Sequence, residues 1–266
     1  MDSILARGPA NAKLQFDTDT ATEFSSGPVR KEGMNFLSRR FELIWVAGQR
    51  GKPSLNADIQ NAAEGTREIA DPDFEILGTN AVSASATFNA EGGITLTTAG
   101  ADADQVILLP HLDANQSAWA QVTWGTDKET VWEVDFSTGA AITTAILWAG
   151  LKLTNTHVAA TDNDQVFMRY ENAVSGGAWV IWYSIGGVDV SVVSTFVVAV
   201  STRYHLKVIV DTARVARVYL NGTLVATTTA LTDATDLIPY LGVQANGAAA
   251  ARVVVAHGEA IGRNIG

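Results

Sequence analysis

Glu133 and Asp135 stand two residues apart in Val131-Trp132-Glu133-Val134-Asp135-Phe136-Ser137-Thr138, a run whose alternation predicts a strand with both carboxylates on one face. Paired carboxyl groups about 5 Å apart can hydrolyse a glycosidic bond, one as nucleophile and the other as acid and base. The local run supplies no further acid: Ser137 and Thr138 follow, so two solvent-facing acids on a strand is the plainer reading. His111, His157, His205 and His257 lie far apart, without the His-x-x-x-His or Glu-x-x-His spacing that holds a transition metal. No Gly-x-Ser-x-Gly elbow presents a serine nucleophile. With no cysteine in the chain, thiolate chemistry and disulfides are excluded. Thr161-Asp162-Asn163-Asp164-Gln165 gathers oxygen-bearing side chains that could hold Ca²⁺, but it lacks the glycine and distal glutamate of an EF-hand and reads as a polar turn. Gly-rich phosphate loops are absent. The expectation is therefore no enzyme, no metal and no cofactor.

Seven tryptophans offer a different chemistry, since an exposed indole face stacks on a sugar ring. Trp119, Trp132, Trp148, Trp179 and Trp182 fall inside predicted strands, where packing between sheets is the usual role. Trp45 and Trp124 complete the set.

The elements that must position these groups change character near Asp71-Pro72. Residues 1–33 are polar and broken by Gly8-Pro9 and Gly27-Pro28, which predicts an extended arm. Met34, Leu37, Phe41, Ile44 and Trp45 follow spacings of three and four, which predicts a helix over 34–45. A second short helix is predicted over 54–63, capped by Ser54 and stopped by Gly65. Beyond Pro72, strands are predicted at 82–88, 94–98, 105–109, 118–124, 131–137, 144–153, 165–170, 178–184, 188–200, 204–210, 215–220, 223–227, 238–244 and 252–256. Many short strands with turn signals and no crossover helices imply a sandwich. The richness in Ala, Thr and Val with little Lys suggests that both faces of its sheets are partly covered. Residues 204–227 read as a three-strand meander in which Asn221-Gly222 supplies the two positive-φ positions of a type I′ turn.

Of the 266 residues, 18 are basic and 28 acidic, a net charge of −10. Nine basic and nine acidic groups leave residues 1–70 neutral, so residues 71–266 carry the whole deficit. An acidic body with no basic stripe repels a phosphate backbone, and no nucleic-acid partner is expected. The longest apolar run, 195–200, is strand-sized, and the N-terminus lacks the pattern of a secretory signal, so neither a membrane nor secretion is expected. The sequons at Asn115 and Asn221 read as chance matches.

Tyr204-His205-Leu206-Lys207-Val208-Ile209-Val210-Asp211 and Val218-Tyr219-Leu220-Asn221-Gly222-Thr223-Leu224-Val225 resemble the back-sheet hairpin of concanavalin A-like and laminin-G-like jelly rolls. Leu237-Ile238-Pro239-Tyr240-Leu241-Gly242-Val243-Gln244 and Arg252-Val253-Val254-Val255 are similar to the closing strands of that fold. The resemblance implies an all-β, concanavalin A-like jelly-roll β-sandwich over 71–266, preceded by an extended, partly helical N-terminal arm over 1–70. The run from Glu133 is similar to the Glu-x-Asp-x-x-Glu of laminarinase-type enzymes, with Thr138 where the acid/base glutamate would stand.

Residues 93–266, with Asp104-Gln105-Val106-Ile107-Leu108-Leu109-Pro110-His111 and Trp148-Ala149-Gly150-Leu151-Lys152-Leu153-Thr154, also resemble structural proteins of tailed bacteriophages. That resemblance implies a virion protein on the capsid surface, a decoration or cement protein that stabilises the head. Its partners would be the major capsid protein and neighbouring copies of itself, arranged as a homotrimer at a three-fold site. Arg30, Leu37, Arg39, Arg40, Phe41, Ile44 and Trp45 of the arm would form the anchoring surface. The alternative is a lectin-like carbohydrate-binding module, as in a head or tail fibre, that holds particles to a host-surface glycan.

Overall fold

The computed structural model describes residues 32–35, 40–46, 52–55, 70–110, 124–247 and 250–264. Among them are seventeen strands and three single 3-10 turns, with no α-helix. The first sheet runs, edge to edge, through β1 (Glu32–Asn35), β2 (Arg40–Val46), β17 (Val253–Asn264), β8 (Thr130–Thr138), β13 (Arg203–Val210), β14 (Val215–Leu220) and β15 (Thr223–Ala230). β5 (Ala86–Phe88) and β6 (Ile94–Thr97) extend it at one end of β17. The second sheet runs through β12 (Val188–Val197), β11 (Ala178–Ile185), β10 (Gln165–Glu171), β9 (Ala145–Lys152), β16 (Ile238–Ala245), β7 (Gln105–Pro110), β4 (Ala70–Leu77) and β3 (Lys52–Leu55). Ladders are antiparallel except between β3 and β4. This is the all-β two-sheet sandwich that the strand spacing implies.

Period-two patterning builds the core. Along β8 burial alternates, so Trp132, Val134 and Phe136 turn inward while Glu133, Asp135 and Ser137 turn outward. On β13, Tyr204, Leu206, Val208 and Val210 face the same interior. Trp179 packs edge-on against Phe136, Tyr170 and Tyr204 at centroid distances of 5.9, 6.0 and 5.6 Å, the geometry favoured by the ring quadrupoles. The predicted meander forms β13, β14 and β15, and Asn221 and Gly222 at its turn have φ of 49° and 77°.

The two central strands of the second sheet, β9 and β16, are buried along their whole length. A second apolar layer therefore covers the sheet's outer face, with Ile107, Leu109, Ile146, Trp148, Phe167, Ile238 and Tyr240. This agrees with the partly covered faces read from composition.

Two expectations for the N-terminal region are corrected. Over 34–45 the described residues are the strands β1 and β2, not a helix. Arg40-Phe41-Glu42-Leu43 also alternates with period two, and a seven-residue ladder from β2 to β17 satisfies the backbone that a helix would have satisfied internally. Ser54 and Leu55, assigned to the start of the second helix, lie in β3; residues 56–63 are outside the described residues. The boundary at Asp71 falls inside β4, and β2 and β3 pair with β17 and β4, so the described part of residues 1–70 belongs to the sandwich's own sheets.

Candidate functional site

Cross-strand register places a compact set of side chains on the outer face of the second sheet. One row across it reads Gly242 on β16, Trp148 on β9, Arg169 on β10, Val180 on β11 and Val193 on β12. The next row reads Tyr240, Gly150, Phe167, Trp182 and Ser191. Glycine opposite each bulky ring is what lets the rings lie down on the sheet. A Cβ on Gly242 would stand 2.2 Å from the Trp148 ring, and one on Gly150 would stand 2.3 Å from the Phe167 backbone.

Two residues along β10 from Arg169, on the same face, Glu171 accepts a hydrogen bond from the Arg169 guanidinium, and each side chain keeps 21% exposure. Trp182 is half-buried beside them, the part of the aromatic layer open to solvent. Trp148 is covered by the loop after β9, with the His157 ring 5.6 Å from its own. Burial, reinforced by the nearby positive charge of Arg169, holds the His157 imidazole down at about 4, so it is neutral at physiological pH. Trp148 Nε1, His157 Nδ1 and Arg169 Nε are all buried, and none has a hydrogen-bond partner. Buried atoms without a partner also occur in the core, at Trp179 Nε1 and Glu259 Oε2, so what this face offers to solvent is Trp182 and the Arg169–Glu171 pair.

The loop over this face is pinned by a buried network. Lys152 Nζ lies 3.0 Å from Asp162 Oδ2, both side chains fully buried; it donates to Gln165 and sits 4.1 Å above the Phe167 ring. Burial lowers the Lys152 pKa against the opposing pull of Asp162. Asp162 also accepts from the Leu153 and Thr154 amides and from Thr154 Oγ1 at 2.6 Å. Gln165 donates to Ala159 O at 2.5 Å and to Ser184 Oγ at 2.6 Å. Asp164 turns elsewhere, accepting from Thr232 Oγ1 at 2.5 Å and the Gly186 amide. The loop considered for Ca²⁺ thus spends its two carboxylates on separate partners, and no cluster of three metal-ligating side chains occurs among the described residues.

The carboxylate row of β8 lies on the opposite side of the molecule, on the outer face of the first sheet, and is charge-compensated. Asp135 accepts from Arg203 Nε and Nη2 at 2.8 and 2.5 Å. Glu133 lies 3.5 Å from Lys207 and 3.7 Å from His205. Ser137 Oγ meets His257 Nε2 at 2.8 Å on the same face.

Of the residues proposed to anchor the arm, Arg40, Phe41, Ile44 and Trp45 lie on β2, hydrogen-bonded to β17 through the backbone. Arg30, Leu37 and Arg39 are outside the described residues, as are Trp119 and residues 118–123 of the strand predicted over 118–124. Trp132 and Trp179 are core residues as expected; Trp148 and Trp182 belong to the outer layer instead. Sequence reading missed Arg169 and Glu171. A signal was present: Arg169 is the only Lys or Arg between Lys152 and Arg203, set in the otherwise apolar run Val166-Phe167-Met168.

No protein-family model matches the chain, and no curated protein matches it. Among solved structures it is similar to a protein of unknown function from Shewanella oneidensis MR-1, with 14% identity and a TM-score of 0.55 over 85% of this chain and 87% of that one. An alginate lyase of polysaccharide lyase family 7 matches at 11% identity and a TM-score of 0.51, covering 73% and 95% of the two chains. The potassium-bound carbohydrate recognition domain of Emp46p matches at 7% identity and a TM-score of 0.50, covering 77% and 94%. At these identities the likeness is one of architecture, and the architecture is a concanavalin A-like jelly-roll sandwich.

Proposed function

We propose that this chain is a carbohydrate-binding module whose ligand lies on the outer face of the second sheet, against Trp182 and the Arg169–Glu171 pair. The observation that carries the reading is a partly exposed indole, Trp182, on the same sheet face as the Arg169–Glu171 pair, whose side chains each keep 21% exposure. Sugars present apolar C–H faces edged by hydroxyls, which is the complement of an indole plate beside fixed donors. The shared architecture supports it, since the neighbours include a carbohydrate recognition domain and an alginate lyase by name. Binding rather than turnover is favoured because Glu133 and Asp135 are engaged by basic partners on the far side of the molecule.

A glycan array probed with the full chain and with Trp182→Ala tests this. Binding to a defined group of glycans is expected for the native chain, and at least a tenfold loss, about 1.4 kcal/mol, for the variant. An array without hits, or hits that Trp182→Ala leaves unchanged, contradicts it. The place of such a module on a phage capsid is a separate proposal, carried by the sequence resemblance of residues 93–266.

A further inference from the structure

The outer face of the first sheet brings a hydroxyl, an imidazole and a guanidinium together at one end of β8. Ser137 turns outward there, and its Oγ lies 2.8 Å from His257 Nε2, with both residues half-buried. Local structure places the imidazole. His257 is the extra residue of a β-bulge in β17, between Ala256 and Gly258, and a bulge re-aims the side chain it carries. The turn between β5 and β6 passes beside the ring at Gly93, where φ is 106° and a Cβ would stand 2.9 Å from His257 Nδ1. His257 also donates to the Gly92 carbonyl. With Nε2 turned to Ser137, that donation falls to Nδ1, which leaves Nε2 to accept the Ser137 hydroxyl proton. Burial, joined by the nearby charge of Arg203, lowers the His257 pKa from 6.5, so the ring is neutral and able to act as a base.

Arg203 on β13 stands directly across from Ser137 and turns to the same face. Asp135 accepts from its Nε and Nη2, which holds the guanidinium in place and leaves Nη1 for another acceptor. The serine needs no Gly-x-Ser-x-Gly elbow, because the bulge on a strand 120 residues away supplies its base.

We propose that Ser137, His257 and Arg203 form an acyl-transfer site that cleaves small esters, separate from the sugar-binding face on the other sheet. Ser137 Oγ bonds to the ester carbonyl carbon while its proton passes to His257 Nε2, and Arg203 Nη1 meets the oxyanion that forms. The ester C–O bond then breaks, and the alcohol leaves with the proton from His257. Water attacks the acyl-serine, giving a proton to His257 that returns to Ser137 Oγ as the carboxylic acid departs. A small, uncharged acyl group is the class that fits. Val255 flanks Ser137 on the side away from Arg203, and Asp135 and Glu133 on the same face repel a carboxylate.

Hydrolysis of p-nitrophenyl acetate by the full chain and by Ser137→Ala, His257→Gln and the double variant tests the site, with a fluorophosphonate probe located by peptide mass spectrometry. The native chain is expected to hydrolyse the ester above the buffer rate and to carry the probe on Ser137. Each single variant is expected to lose at least tenfold in rate and the double variant no more, because the two groups act as one unit. Both side chains are half-exposed, so the variants keep the fold, which far-UV circular dichroism checks. A native chain no faster than buffer, a probe attached elsewhere, or a Ser137→Ala chain with the native rate would overturn the proposal.

Discussion

Glu259 and His157 are each held in the neutral form, and they limit the stability of the fold from opposite ends of the pH scale. Glu259 lies on β17 inside the sandwich, 2% exposed, where Trp132 Nε1 donates to its Oε1 at 2.7 Å and its Oε2 has no partner. Burial raises its pKa from 4.5 to about 8 despite the indole hydrogen bond. Between those values the folded chain holds a proton that the unfolded chain has released, so stability falls as pH rises, by up to about 1.4 kcal/mol per pH unit. For His157 the folded pKa is depressed, so its contribution is complete above 6.5 and is lost as pH falls toward 4. Glu259→Gln keeps an acceptor for Trp132 and removes the titration. Urea unfolding should show the native chain losing stability from pH 6.5 to pH 8, above the range in which His157 contributes, and the variant nearly level over that range. Equal slopes would mean that Glu259 is ionised in the fold. The alternation around Glu133 was legible in the sequence because it is local. The Arg169 site was not, because Trp148, Arg169 and Trp182 come together only through the registers of three strands.

Elements in the body were legible for the same local reason: β13, β14 and β15 follow alternation and the Asn221-Gly222 turn. The N-terminal elements were not, because Met34, Leu37, Phe41, Ile44 and Trp45 fit a helical stripe while the same stretch also alternates in a way that β17 can pair. That pairing changes where the chain can be cut. Removing residues 1–31 leaves every described strand intact and should give a chain that unfolds like the native one. Removing residues 1–55 strips β2 from β17 and β3 from β4, and should lower the thermal midpoint measurably. Scanning calorimetry on the two truncations decides this; equal midpoints would contradict a structural role for β2. The shorter truncation is also the one with which to ask whether the arm joins a capsid, since loss of incorporation could then not be blamed on a damaged sheet.

At the scale of the whole molecule, two sheets divide the work. The first turns a charge-compensated face outward, with Asp135 and Glu133 engaged by Arg203 and Lys207, while the second carries the aromatic layer and the Arg169–Glu171 pair. The most direct test of the central claim is a titration of the best array ligand followed by the tryptophan indole N–H resonances in NMR. The Trp182 and Trp148 signals are expected to shift with the ligand while those of Trp132, held by Glu259, and Trp179, buried in the core, stay in place. Shifts confined to the core indoles, or none at Trp182 and Trp148, would contradict a binding site on this face.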